Sequence, residues 1–164
     1  MYLSSPSSSR KEDADEMVGI DEMIALNQMA QGLWTRRERE EWFAGLDVQR
    51  QRDVLNWAVE MAKQARASEL DVSIAVKESG LKPTYTPCVM LSRPPIKSQY
   101  FRVLELPQEE WQKLLAILIA LFAVANRRRL RKYPENKERH WWNWDLSDPE
   151  VLARIRELAN GGRL

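Results

Sequence analysis

The chain has 164 residues, and its 25 Lys+Arg against 24 Asp+Glu leave a net charge of +1, in the ordinary range of a water-soluble globular protein. Seven Trp, six Met and a 44% apolar share supply one sizeable core, while six Gly and eight Pro argue against a loop-rich sandwich or a low-complexity chain. The lone Cys88 cannot close an intrachain disulfide, and residues 1–10 show no apolar stretch of the kind that directs secretion, so a reducing cytoplasmic setting is the expectation.

Residues 1–18 hold five Ser, Pro6 and a charged run from Arg10 to Glu16. They offer too little apolar surface to offset ordering, which predicts a disordered tail ahead of a single helical domain over 19–164. Asp21 is placed to cap a first helix whose apolar Met23, Leu26, Ala30 and Leu33 recur at three- and four-residue steps, with Gly32 near its end. Asn27, Gln28 and Gln31 lie beside that stripe. Thr35-Arg36-Arg37-Glu38 reads as a capping box opening a short helix that presents Trp42 and Phe43 and stops at Gly45.

Leu46-Asp47 opens a third helix of about 20 residues with Val54, Ala58, Met61 and Ala65 as its core stripe and Leu55 and Ala62 beside it. Asp71 is read as the cap of a brief helix through Val76. Prolines at 83, 87, 94 and 95 interrupt the next stretch, leaving room for a helical turn at 88–91 and a helix over about 98–105.

The strongest signal starts at Pro107. Glu109 and Glu110 precede Leu114 to Ala125, a run apolar on every face but too short for a bilayer, which needs about 20 apolar residues. It predicts a central helix over about 108–132, closed by Arg127, Arg128, Arg129, Arg131 and Lys132 where the helix dipole favours cations. Ser147-Asp148-Pro149-Glu150 reads as a second capping box for a last helix that ends at Gly161-Gly162. The fold class is therefore all-α, an irregular multi-helix bundle around the 108–132 helix.

Groups that could do chemistry are scarce. Cys88 and His140 stand 52 positions apart and form a nucleophile–base pair only if the fold joins them. The apolar Cys88-Val89-Met90-Leu91 setting suits an inert thiol instead, so no catalytic residue, enzyme activity or cofactor is expected. His140, Glu138 and Asp145 lack zinc-site spacing, so no metal is expected either. Charge is unevenly laid out: residues 126–140 hold seven Lys+Arg and two Glu. Tyr133, Trp141, Trp142 and Trp144 lie beside them. Arginine and tryptophan dominate interface energetics, which singles out Arg128, Arg131, Trp141, Trp142 and Trp144 as partner contacts, with Trp34 and Trp42 second.

Several segments resemble a family of small, uncharacterised bacterial proteins known as a domain of unknown function. They are Leu26-Asn27-Gln28-Met29-Ala30-Gln31-Gly32-Leu33, Trp42-Phe43, Gln64-Ala65-Arg66-Ala67, Ser79-Gly80-Leu81-Lys82-Pro83-Thr84-Tyr85-Thr86-Pro87, the apolar helix with its arginines, and His140-Trp141-Trp142, spanning about 20–145. The resemblance implies a helical fold and no particular activity. It also implies a Cys/His-rich stretch after the arginines in relatives, where this chain keeps His140 alone among Pro134, Glu138 and Asn143. If relatives bind zinc there, Trp141, Trp142 and Trp144 replace the metal staple.

The function expected from these features is a non-enzymatic protein-binding module, an immunity or antitoxin-type inhibitor that occludes a toxin or effector domain. The alternative is a nucleic-acid-associated regulator or anti-phage defence accessory working through the basic 127–132 face, whose binding would weaken steeply with salt. No membrane association is expected.

Overall fold

The computed structural model describes residues 18–68, 71, 74, 75 and 106–162, and among them there are helices and turns but no strand. Expectations for the Ser-rich tail, for Cys88, for the proline-rich stretch and for a helix at 98–105 lie outside the described residues. The elements are α1 (Ile20–Ala30), α2 (Arg36–Ala44), α3 (Val48–Gln64), α4 (Trp111–Lys132), α5 (Asn136–Arg139) and α6 (Pro149–Asn160), with short 3-10 turns at Gln108–Glu110 and Trp141–Asn143. Chain packing divides them into two units. One comprises residues up to Val54 together with those from Lys137 onward, and the other is Leu55–Asn136, so the boundary falls inside α3.

Local chemistry sets the helix ends. Gly19, in extended conformation, caps α1, and its N–H donates to the Glu22 carboxylate at 2.9 Å. Asp21, the cap expected from the sequence, lies in the first turn, and its Oδ1 instead accepts from Arg156 Nε at 2.9 Å. At the other end Gly32 adopts a φ of 78°, which lets its N–H reach the Met29 carbonyl and the Leu33 N–H reach the Gln28 carbonyl. That pairing is a Schellman stop, and a left-handed residue is what it requires. The capping box ahead of α2 is present as expected: the Glu38 N–H donates to Thr35 Oγ1 at 3.0 Å and the Thr35 N–H to Glu38 Oε1 at 2.8 Å.

Asp47 starts α3, its carboxylate accepting the Arg50 N–H at 2.8 Å. Val54, Leu55, Ala58, Met61, Ala62 and Ala65 are all buried, as their spacing predicts. The helix closes with the same Schellman pairing as α1, the Ala67 N–H donating to the Ala62 carbonyl and the Arg66 N–H to the Lys63 carbonyl. Here the left-handed residue is Arg66, at φ 68°. Just beyond, Ser68 and not Asp71 is the cap: Ser68 Oγ accepts the Asp71 N–H at 3.0 Å and Asp71 Oδ2 accepts the Ser68 N–H at 3.2 Å. The Ser-x-x-Asp spacing is itself a capping box, so the aspartate occupies its third position.

In the Leu55–Asn136 unit, α4 buries Trp111, Leu114, Leu115, Ile117, Leu118, Ile119, Phe122 and Ala125. At about 1.5–3 kcal/mol for each large side chain, this burial is the main apolar contribution among the described residues of that unit. The closure expected on every face is incomplete, since Ala120 is exposed and Val124 is 45% exposed. The Trp111 indole N–H donates to the Leu106 carbonyl at 3.0 Å, fixing the approach to the helix.

In the other unit Ile24, Trp141, Leu146 and Ile155 form a buried cluster, with Met23, Trp142, Trp144, Val151 and Leu152 packed around it. The expected Ser147–Glu150 box is absent. Ser147 turns back to Asp145, and Asp148 caps α6 by accepting the Glu150 N–H at 2.9 Å, with Pro149 at the first helical position.

Candidate functional site

The unit containing α1 brings two sequence-distant stretches together through amide side chains. Gln28 and Gln31, three residues apart, share one face at the end of α1. Gln28 Nε2 donates to the Leu146 carbonyl at 2.9 Å. Gln31 Nε2 donates to the Trp144 carbonyl at 2.8 Å and the Trp142 carbonyl at 3.2 Å, while its Oε1 accepts the Leu146 N–H at 3.4 Å. Residues 142–146 form an irregular connection with backbone groups left over from the 3-10 turn, and these two glutamines satisfy them. The Gln28 amide is used twice, because its Oε1 also accepts the Trp34 indole N–H at 3.1 Å.

Two sets of half-exposed indoles result. Trp34 and Trp42 meet edge to face, with centroids 5.8 Å apart and planes at 82°. They line an open cavity of about 470 Å³ with Leu33, Glu38 and Glu41. Trp144 donates its N–H to the Glu138 carbonyl at 3.0 Å and lines a second cavity, of about 490 Å³, that also carries Lys137, Asp145, Val151 and Arg154. Asp145 Oδ1 accepts from both the hydroxyl (2.5 Å) and the N–H (3.1 Å) of Ser147, and these bonds hold its carboxyl below the usual aspartate range.

The remaining expected contacts divide. Trp141 is 9% exposed and belongs to the buried cluster, so its indole is core and not an exposed anchor. Trp142 lies half-buried between it and His140, edge to face with Trp141 and stacked on the His140 ring at 4.5 Å. Arg128 and Arg131 belong to the other unit, exposed near the end of α4. Arg128 Nη2 is 3.9 Å from Asp71 Oδ2, and the two flank an apolar groove of about 420 Å³ that includes Ile74, Ile117, Leu121 and Val124. Tyr133 follows, with the Arg129 guanidinium 5.4 Å from its ring centroid. Among the described residues no group of three His, Cys, Asp or Glu side chains converges on a metal position, and no helix is long and apolar enough to cross a membrane.

A family model described as a family of unknown function, DUF5958, matches residues 21–145. The chain belongs to that family. Its matched stretch opens on α1 and closes on the turn that Gln28 and Gln31 hold, so the ends of the DUF5958 region are stitched to each other. No curated protein matches the chain, and no solved structure does.

Gln28, Gln31, Leu33, Glu38 and Glu41 are not among the site residues expected from the sequence. The two glutamines carry a readable signal, polar amides at a three-residue step beside an apolar stripe, but their acceptors stand more than 100 positions away. Leu33 and the glutamates join the site only because the Gly32 stop reverses the chain and sets Trp34 against Trp42.

Proposed function

We propose that the chain is a non-enzymatic protein-binding module of the DUF5958 family, and that it serves as a cytoplasmic immunity or antitoxin-type inhibitor that occludes a toxin or effector domain. The observation that carries the reading is the tethering of Trp34 and the Trp144 segment to the end of α1, Trp34 through Gln28 and the segment through Gln28 and Gln31. Half-exposed indoles whose orientation is fixed beforehand lose little freedom when a partner covers them, and this is what makes large aromatic anchors effective in interfaces. Trp42 extends the first anchor, and Arg128 and Arg131 add exposed positive charge that speeds encounter with an acidic partner surface. Trp141 is left out of the contact set because it is core.

The test is affinity capture from the native host, comparing the parent chain with a Trp34→Ser/Trp144→Ser variant whose helical content is checked by far-UV circular dichroism. The expected outcome is a protein retained by the parent, lost by the variant, and toxic when expressed without the parent chain. Identical retention by both chains would sink the reading.

A second reading has its own support in the exposed Arg127, Arg128, Arg131, Lys132 and Tyr133 at the end of α4, a cationic and aromatic surface suited to nucleic acid. It predicts binding to single-stranded nucleic acid that falls steeply with salt and is removed by Arg128→Glu/Arg131→Glu. Undetectable binding by the parent chain at low salt would dismiss it.

A further inference from the structure

Trp34 and Trp42 stand nearly perpendicular, two aromatic walls of one open cavity that Leu33, Glu38 and Glu41 also line. Among the described residues, two carboxylates and no cation line it. Leu33 is 43% exposed at its mouth, and both indoles are partly open. The Trp34 N–H is already used on Gln28 Oε1, so this indole can offer an incoming group its π face but not its donor. A π face flanked by carboxylates attracts cations, because the ring quadrupole and the carboxylate charge act in the same direction.

The carboxylates have capacity left. Glu38 uses Oε1 for the Thr35 N–H, and Glu41 pairs through Oε2 with Arg37 Nε at 3.2 Å. The side chains of Glu41 and Arg37 are 67% and 87% exposed, and ion pairs so open to water are readily exchanged. Arg36 is engaged in its own pair with Glu40 at 2.9 Å. Arg37 is thus a weakly held occupant of the carboxylate rim, replaceable by a cation that can also lie against the indoles.

We infer that the Trp34–Trp42 cavity receives an arginine side chain from a flexible basic segment of the partner protein. Guanidinium fits this geometry better than ammonium does, since it is planar, stacks on an aromatic face and can fork to a carboxylate at the same time. The inference names the partner's chemistry at one of the anchors of the protein-binding reading and rests on that reading.

The experiment uses the full chain, ¹⁵N-labelled, and follows the indole N–H resonances by NMR while titrating an Arg-Gly repeat peptide at physiological salt, with the neutral citrulline-Gly peptide of equal length as control. The Trp34 and Trp42 signals are expected to move with the arginine peptide and not with its isostere. Trp42→Leu should weaken the arginine peptide about two- to thirty-fold. Glu41→Gln, a change at an exposed position that leaves the capping box intact, should weaken it several-fold. Equal shifts by both peptides, unmoved Trp34 and Trp42 signals, or undiminished binding by both variants would overturn the inference. If indole-dependent capture of a toxin survives any of those results, only the arginine assignment falls; if the peptide binds as described and capture fails, the inhibitor reading falls alone.

Discussion

Both units of the chain bury apolar side chains, but their described residues differ in what else joins them. In Leu55–Asn136 the principal element is α4, a continuous helix that buries eight side chains, all apolar. In the unit built from α1, α2, the start of α3 and the C-terminal segment, amide and charged side chains join residues far apart in sequence: Gln28 and Gln31 to residues 142–146, Arg50 to Glu22, and Arg156 to Asp21. Apolar burial is strong and indifferent to direction, whereas hydrogen bonds are individually modest and demand a defined geometry. One unit therefore rests on apolar burial along a single helix, and the other adds to its own buried cluster the directional bonds by which surface groups are aimed.

Substitutions should separate these roles. The largest effect is expected from Leu118→Ala in α4, at a fully buried position, with a loss of about 2–5 kcal/mol in urea-monitored unfolding. Gln28→Ala should cost less, about 1–3 kcal/mol, since it leaves the Trp34 N–H and the Leu146 carbonyl without the amide that joins them. Unlike Leu118→Ala, it should also loosen Trp34, seen as a shift of that indole N–H resonance toward the free position. The smallest change should be a gain. Arg66→Gly relieves a left-handed side chain at the end of α3, where α1 already has Gly32, and should stabilise by up to about 1 kcal/mol. Unchanged stability in Leu118→Ala, or a greater loss in Gln28→Ala than in Leu118→Ala, would erase the contrast.

Legibility in the sequence follows the same division. The α4 hub, the α3 stripe and the Thr35–Glu38 box are readable because their signals lie within one or two helical turns. Three caps fall elsewhere than the sequence suggests, for a common reason. Several side chains near Gly19, Ser68 and Asp148 have capping chemistry, and tertiary or local contact decides among them, as when Arg156 claims Asp21 and Asp145 claims Ser147. The stop at Arg66 carries no glycine to mark it. Among the candidate contacts, the richness in Trp is visible but its sorting is not. Whether an indole ends in the core like Trp141 or on a cavity wall like Trp42 depends on what the chain folds against it.

The α6 helix begins just past the matched stretch, runs with Ile155 against Ile24, and ties Arg156 to the start of α1. The glutamine clamp that orients the tryptophans thus rests on a buried cluster to which α6 itself contributes Ile155. Val151 and Arg154 line the cavity beside Trp144, so a change on that side of α6 alters the wall of an anchor, whereas a change at its exposed Ala153 or Glu157 leaves the support in place.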